Sequence, residues 1–122
     1  MELIASPAAR QGDQATVWIL RVIGEVTDSQ VGRFRRALTH LVPRVCAAAP
    51  EGETALVIDL GESRGLGQAA LGVLVTLHHR LRERGAHLRL ENLGPELLAD
   101  LRACCLDRIL GLPAPENAEQ AA

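Results

Sequence analysis

Three groups of residues have types and spacing that could support chemistry, and the first is a glycine-rich string. Gly65-Leu66-Gly67-Gln68-Ala69-Ala70 has the GxGxxA form of a dinucleotide-binding turn, and Glu91 stands near the end of the following predicted strand. The first glycine of such a turn normally follows its strand almost directly, whereas residues 61–64 intervene here. Nucleotide binding through Gly65–Ala70 is therefore an alternative and not the leading interpretation.

The second group could supply metal ligands. It consists of His78, His79, Cys104 and Cys105. Adjacent residues point in different directions along a helix, so these pairs lack the i, i+4 or CxxC spacing of metal sites. Helix histidines and packing cysteines explain them better, and we expect neither a metal nor another cofactor.

The third group is a set of carboxylates near predicted strand ends, namely Glu25, Asp28, Asp59 and Glu62. They could line a site at one end of a sheet, but helix capping and turn hydrogen bonds explain them more simply. No serine lies in a GxSxG elbow. The sequence offers no catalytic set of residues, and it predicts a protein that is not an enzyme.

Composition narrows the class of partner. With 122 residues and 48% hydrophobic side chains, the chain is long enough for one domain with one core. Its 13 basic and 15 acidic residues give a net charge of -2, too weak a field to hold nucleic acid or an anionic membrane. Trp18 and Phe34 are the only aromatic residues, so platforms for base stacking are missing. We expect no nucleic-acid partner.

Cysteine content and hydropathy indicate the compartment. Three cysteines, two of them adjacent, make no disulfide framework, which fits a reducing cytoplasm. No segment approaches about 18 uninterrupted apolar residues, and the first residues do not follow the pattern of a signal peptide. We expect a soluble cytoplasmic protein without membrane insertion.

The first half of the chain predicts a hairpin and a helix. Apolar stretches at Met1–Ser6 and Ala15–Ile23 read as two strands joined by a loop. A helix follows, capped within residues 27–29 and with its apolar residues at helical spacing. Pro43 should end or kink that helix, with Val45–Ala49 as an extra turn.

The second half alternates strands with helices. In chain order we predict a strand at Ala55–Leu60, a loop at Gly61–Gly67, a helix at Gln68–Arg84 ending at Gly85, a strand at Ala86–Leu90, a helix from Pro95 to Ala103, and a short edge element at Leu106–Leu112. Strands that alternate with helices require parallel pairing. The sequence therefore predicts an α/β fold, a mixed sheet of four to five strands with helices packed against it.

The order of three strings resembles the STAS domain of bacterial anti-sigma factor antagonists. Gly24-Glu25-Val26-Thr27, Leu56–Leu60 and Ala69–Leu74 stand where that family has GELD, a VxxDL-type strand and DSSGLGVL. The likeness continues through Gly85 and Gly94-Pro95. It implies a STAS-like domain over residues 1–112, followed by a tail over residues 113–122.

The resemblance also implies a partner and a missing residue. In that family an anti-sigma factor kinase binds the antagonist and phosphorylates the serine after the motif aspartate. Aligned backwards from Leu71, Gly67 stands at the aspartate, Gln68 at the phosphorylated serine and Ala69 at the second serine. Glutamine has no hydroxyl, so it cannot acquire the charge of about -2 that a phosphate brings.

A second register is open. It places Glu62-Ser63-Arg64-Gly65-Leu66-Gly67 over DSSGLG and makes Ser63 the phosphoacceptor. The following helix would then be several residues longer than the family's, so we prefer the register that ends on Gln68. Ser63 stays the alternative phosphosite, with an ordinary turn serine as its simpler interpretation.

The leading hypothesis is a non-catalytic module that binds an anti-sigma factor, a kinase-like protein or related regulatory ATPase, and so frees a sigma factor. The residues predicted to bind this partner are Glu25, Ser63, Arg64, Gly67, Gln68, Ala69 and Gly72. The alternative is an accessory STAS subunit of a transporter or of a stress-signalling scaffold. A homodimer is left open. Thr27 and Cys105 depart from the family, which has aspartate and often glycine there.

Overall fold

The fold is taken from a computed structural model that describes residues 1–9, 16–48 and 53–111. Its elements, in chain order, are β1 (Glu2–Ala9), β2 (Thr16–Val26), a 3-10 turn (Asp28–Gln30), α1 (Val31–Ala48), β3 (Thr54–Asp59), β4 (Ser63–Leu66), α2 (Gln68–Glu83), β5 (His87–Glu91), α3 (Pro95–Ala103) and α4 (Leu106–Ile109). The predicted α/β class is confirmed.

The strands of the described residues form one mixed sheet. Its order is β1-β2-β3-β5, and β4 pairs with β2 beyond the point where β3 ends. β1 and β2 are antiparallel, with Leu3 opposite Val22, so the predicted hairpin is confirmed. β2 with β3, β3 with β5, and β2 with β4 are all parallel. The βαβ alternation in the second half of the chain thus gives the predicted parallel pairing.

An aliphatic core lies between the sheet and the helices. Leu56 and Ile58 of β3 are fully buried, and Val57 on the other face of the strand is 4% exposed. α1 contributes Phe34, which is also fully buried, and α2 contributes Leu74. α1 and α2 pack against each other as well as against the sheet. The side of α2 that faces away from this core is therefore available to a partner.

Pro43 does not end the first helix. α1 continues through it to Ala48, so the predicted end of the helix at Pro43 is wrong, while the predicted kink stays a prediction. A proline inside a helix leaves the carbonyl four residues earlier without its donor. Here that carbonyl belongs to Thr39, and both Thr39 and Pro43 are exposed. Water can therefore solvate the orphan carbonyl, while Leu41, Val42 and Val45 hold the helix on the core.

Two predicted segments have a different structure. The predicted loop Gly61–Gly67 contains strand β4, and the predicted edge element Leu106–Leu112 contains the short helix α4. β4 has few strand-favouring side chains, and its pairing with β2 determines its conformation. The predicted tail, residues 113–122, lies outside the described residues.

Among the described residues, Gly85, Cys105 and Gly111 have left-handed backbone where α-helices end, and the first two bear on the predictions. Gly85 follows α2 with φ 76°, as its predicted role as a helix stop requires. Cys105 follows α3 with φ 60°, a conformation that costs a residue with a Cβ about a kcal/mol or more. A glycine is the natural residue at such a point, which gives the departure at Cys105 a physical meaning.

Candidate functional site

The start of α2 is positioned by β4. Gly67 caps the helix with an extended backbone of φ -68° and ψ 166°, and its carbonyl accepts a hydrogen bond from the Leu71 N–H at 3.0 Å. The Gly67 N–H itself donates to the Val26 carbonyl at 3.3 Å. Gln68 is thus the first residue of α2, held against the end of β2. Ser63 lies at the start of β4 instead, where its Oγ accepts from the Gly65 N–H at 3.3 Å.

Asp28 approaches the start of α2 from the turn before α1. A Cβ built on Gly67 would lie 3.2 Å from the Asp28 Oδ1. A side chain at position 67 would therefore need the Asp28 carboxylate to move. The sequence analysis allowed Asp28 a place in a site at the end of a sheet but preferred a capping or turn role, and no pattern placed it at the start of α2. Position 67 carries no charge, but the Asp28 carboxylate lies beside the N-terminus of α2. A negative charge there interacts favourably with the helix dipole.

The first two turns of α2 present small and uncharged residues to solvent. Gln68, Ala69 and Gly72 are exposed, while Ala70 and Leu71 are buried. Gln68 and Gly72 lie one turn apart on the same side of the helix. A Cβ at Gly72 would meet nothing within 4 Å. This side of α2 allows another backbone or side chain to approach closely.

A cleft of about 440 Å³ lies beside this helix start, between β4 and the first turns of α3. It brings together four of the predicted site residues, which are Glu25, Ser63, Arg64 and Gly67. Gln68, Ala69 and Gly72 do not line it and continue the exposed surface along α2. We use the name α2-start surface for these seven residues. The sequence thus predicted a set that the fold brings to one side of the molecule.

The far wall of the cleft was missed by the sequence interpretation. Gly94, which caps α3, and Glu96 and Asp100 within α3 line the cleft opposite β4. With Glu25 they give its rim three carboxylates, against the single guanidinium of Arg64. The Gly94-Pro95 helix start was recognisable, but its position next to β4 follows from the sheet order, which the sequence did not specify.

Comparison with known proteins now decides the family. A family model described as "STAS domain" matches residues 7–121. The chain belongs to the STAS domain family. No curated protein sequence is significantly similar to this STAS domain.

Solved structures show the same fold. This STAS domain is similar to an anti-sigma factor antagonist from Mycobacterium paratuberculosis, with TM-score 0.65, 23% identity, and coverage of 98% of this chain and 93% of that one. It is also similar to the anti-sigma factor antagonist SpoIIAA in its unphosphorylated form, with TM-score 0.61, 12% identity, and coverage of 91% and 100%. A third likeness, to SLC26A9, has TM-score 0.59 and 10% identity and covers 89% of this chain but 21% of that one.

The glycine-rich string of this STAS domain does not have the geometry of a dinucleotide turn. Gly65 lies inside β4 and pairs with Glu25, and the Gly67 N–H is already bonded to β2. In a dinucleotide turn those N–H groups would face the pyrophosphate. The geometry therefore gives no support to nucleotide binding through Gly65–Ala70.

The metal alternative and a membrane span find no support in the described residues either. Within residues 1–9, 16–48 and 53–111, no three histidine, cysteine, aspartate or glutamate side chains come close enough to hold a metal ion. His78 and His79 have ring centroids 5.4 Å apart, and Cys104 and Cys105 are exposed. In that same part of the chain, no helix is both long and apolar enough to cross a membrane.

Asp59 holds the turn that leads into β4. Its Oδ1 accepts hydrogen bonds from the Gly61 N–H at 2.9 Å and from the Asn92 side-chain amide at 3.0 Å. These two bonds, with a smaller contribution from the Arg21 charge, lower the pKa of Asp59 below its usual value. Glu62, which follows Gly61 in the same turn, pairs with Arg21 of β2. The carboxylates at the end of β3 are thus turn residues that orient β4.

The low pKa of Asp59 predicts an acid-sensitive fold. A carboxylate with a depressed folded pKa stabilises the fold above its unfolded pKa, about 3.9, and this stabilisation is lost as the pH falls through the folded pKa. Asp59→Asn should therefore lower the free energy of unfolding near neutral pH and change it little in strong acid. Urea unfolding across the acid range measures the difference. Asp100→Asn removes an exposed carboxylate as a control, and an Asp59→Asn deficit of equal size at every pH contradicts the prediction.

Proposed function

We propose that this STAS domain is a non-catalytic, cytoplasmic binding module that docks an anti-sigma factor of the kinase class and thereby frees a sigma factor. We propose further that phosphorylation at the usual position does not switch this binding. One observation carries the proposal: Gln68, which has no hydroxyl, is the exposed first residue of α2. Membership of the STAS family and likeness to two anti-sigma factor antagonists support it.

The helix boundary supports the alignment of Gln68 with the family's phosphoacceptor. α2 begins at Gln68 and ends at Glu83, next to Gly85. If Ser63 were the acceptor, the motif would run through β4, where Ser63 is half-buried and bonded to the Gly65 N–H. The motif of the family stands at a helix start, and only Gln68 has that place here.

The α2-start surface suits protein docking better than catalysis. Its exposed α2 residues are a glutamine, an alanine and a glycine, none of which can act as an acid, a base or a strong nucleophile. The cleft next to them has an acidic rim, formed by Glu25 together with Glu96 and Asp100 on α3. We propose that the partner brings a protruding segment with basic side chains to this cleft, because opposite charges steer association and fix the register of docking.

A charge at position 68 should weaken this binding. In the family a phosphate at this position disfavours the partner, so Gln68→Glu, which places one negative charge there, is expected to raise the dissociation constant at least tenfold. Gln68→Ala should leave the dissociation constant within about twofold of the parent value, because alanine adds no charge. The measurement is calorimetric titration with an anti-sigma factor kinase of the native host that this domain captures.

The fold provides its own control for this experiment. A carboxylate in the first turn of a helix stabilises it by about 0.3–1 kcal/mol, so lost binding by Gln68→Glu cannot be ascribed to unfolding. Ser6→Glu adds the same charge to an exposed position of β1 opposite Ile19, away from the end of β2 that holds the start of α2. It should bind like the parent. Equal affinity of Gln68→Glu and the parent would count against docking through this surface.

The second candidate is an accessory STAS subunit of a transport assembly. The likeness to SLC26A9 favours this candidate. The matched part is 21% of the SLC26A9 chain, so in that protein the fold is one part of a much larger molecule. In that case affinity capture from the native host recovers a transport ATPase or permease. If the anti-sigma factor is recovered instead, and binds the purified domain, this candidate is removed.

A further inference from the structure

A second cleft, of about 460 Å³, lies along the outer edge of β5. β5 is the last strand in the sheet order, and α2 and α4 complete the walls. The basic side chains that line it are His78 and Arg82 from α2, His87 and Arg89 from β5, and Arg108 from α4. None of the residues of the α2-start surface lines this cleft. It is a different place on the molecule and does not depend on the proposed function.

The lining of the cleft concentrates positive charge on a chain whose net charge is -2. No aspartate or glutamate stands among the described residues that line it. Arg89 is paired with Glu91 at 3.0 Å, whereas Arg82 and Arg108 have no carboxylate partner in the described ranges. Like charges held together repel one another, and an anion between them removes that repulsion. Each guanidinium also presents a planar fork of donors that matches the oxygens of an oxyanion.

His78 adds a buried donor to this lining. The side chain is 8% exposed, and its Nδ1 has no hydrogen-bond partner within the described residues. Buried polar atoms nearly always have a partner, so this imidazole, beside a cleft lined by arginines, has hydrogen-bonding capacity that an oxyanion in the cleft would meet. His78 and Arg82 lie one turn apart on α2 and therefore share a face of the helix.

The groups around His78 disfavour the protonation of its ring. Burial lowers its pKa first, and the positive charges of His79, Arg82 and His87 lower it further. Arg89 of β5 and Arg108 of α4 also face the cleft. An anion bound among these groups would offset their charge at the ring, so its binding and the protonation of His78 must be linked.

We propose that this cleft binds the phosphate monoester of a small organic molecule, whose phosphate oxygens are held by Arg82 and Arg108 and by a ring nitrogen of His78. A doubly charged oxyanion matches a site with several cations and no carboxylate. The cleft is also larger than one phosphate group needs. Leu88, Leu90 and Ile109 line the rest of it and give the carbon body of the ligand an apolar wall.

The test uses the full chain and three probes of defined chemistry. Inorganic phosphate and glycerol 3-phosphate are titrated while the His78 imidazole is followed by NMR, and glycerol serves as the probe without charge. We expect both phosphates to saturate the His78 signals and raise the pKa of His78, with glycerol 3-phosphate binding more tightly. Glycerol should cause no change. If inorganic phosphate saturates the His78 signals and glycerol 3-phosphate binds no more tightly, the site takes the free anion only. That result overturns the assignment to a phosphate monoester.

Arginine variants establish where the phosphate binds. Arg82→Gln and Arg108→Gln should each weaken glycerol 3-phosphate about tenfold, the effect of losing one hydrogen bond to a charged group. Both residues are exposed, so the fold should survive the change. Arg36→Gln, an exposed arginine of α1 outside the cleft, is the matched control and should bind like the parent. Equal affinity in all three variants, or a His78 pKa unaffected by phosphate, would overturn the proposal.

Discussion

Gln68→Ser should turn this STAS domain into a substrate of its proposed partner, an anti-sigma factor kinase. With kinase and ATP, the parent chain keeps its unmodified mass, and the serine variant gains one phosphoryl group at residue 68. The structural reason is that residue 68 is exposed and begins α2, where free N–H groups and the helix dipole stabilise the phosphate. Intact mass, followed by peptide mapping, measures the product.

Ala69→Ser is the matched control for that experiment. It places a hydroxyl on the next exposed residue of the same helix turn, where the family has its second serine. It should stay unmodified. Position 67 needs no aspartate in the serine variant, because the Asp28 carboxylate already lies 3.2 Å from where a Cβ on Gly67 would stand. Equal modification of Ala69→Ser and Gln68→Ser would show that the kinase does not read this alignment.

Phe34→Ala should produce the largest loss of stability among single core changes. The ring is fully buried on the sheet side of α1, and it is the largest of the fully buried side chains in the described residues. Truncating a buried phenylalanine to alanine costs about 3–5 kcal/mol, because the transfer energy is lost and a cavity remains. Urea unfolding followed by circular dichroism measures the change in the free energy of unfolding.

Phe34→Leu separates the cavity from the loss of aromatic character. The buried residues that form the core with Phe34 are aliphatic, and the partly buried Trp18 packs against that core. Leucine should therefore recover most of the stability that alanine loses. If both variants unfolded at the same urea concentration, the ring would not be filling a rigid space between α1 and the sheet.

The elements that could be predicted are those whose signals are local. Helical spacing in α1 and α2, the glycine at position 85 and the proline at position 95 each depend on the chain within a few residues. β4 could not be predicted because its strand conformation comes from pairing with β2, far away in the chain. The helix was predicted to end or kink at Pro43, and it does not end there because the orphan carbonyl belongs to an exposed residue, Thr39, which the sequence alone does not show.

The part of the candidate site that depends on local signals could also be predicted. Gln68, Ala69 and Gly72 follow from the motif order and the start of one helix. Asp28 and the α3 wall of the cleft reach the site only through tertiary contacts, namely the close approach to Gly67 and the position of α3 beside β4. The cleft along β5 could not be predicted at all, because three elements bring its basic side chains together from distant parts of the sequence.

The central claim is that the domain holds its kinase partner through the α2-start surface and that ATP does not release it. The most direct measurement is size-exclusion chromatography of the complex with the anti-sigma factor kinase, before and after prolonged incubation with ATP, with the mass of the eluted domain determined. We predict a complex that stays intact, containing an unmodified domain. Dissociation in ATP, with a phosphate on Ser63, would contradict the claim and assign the phosphoacceptor to the other register.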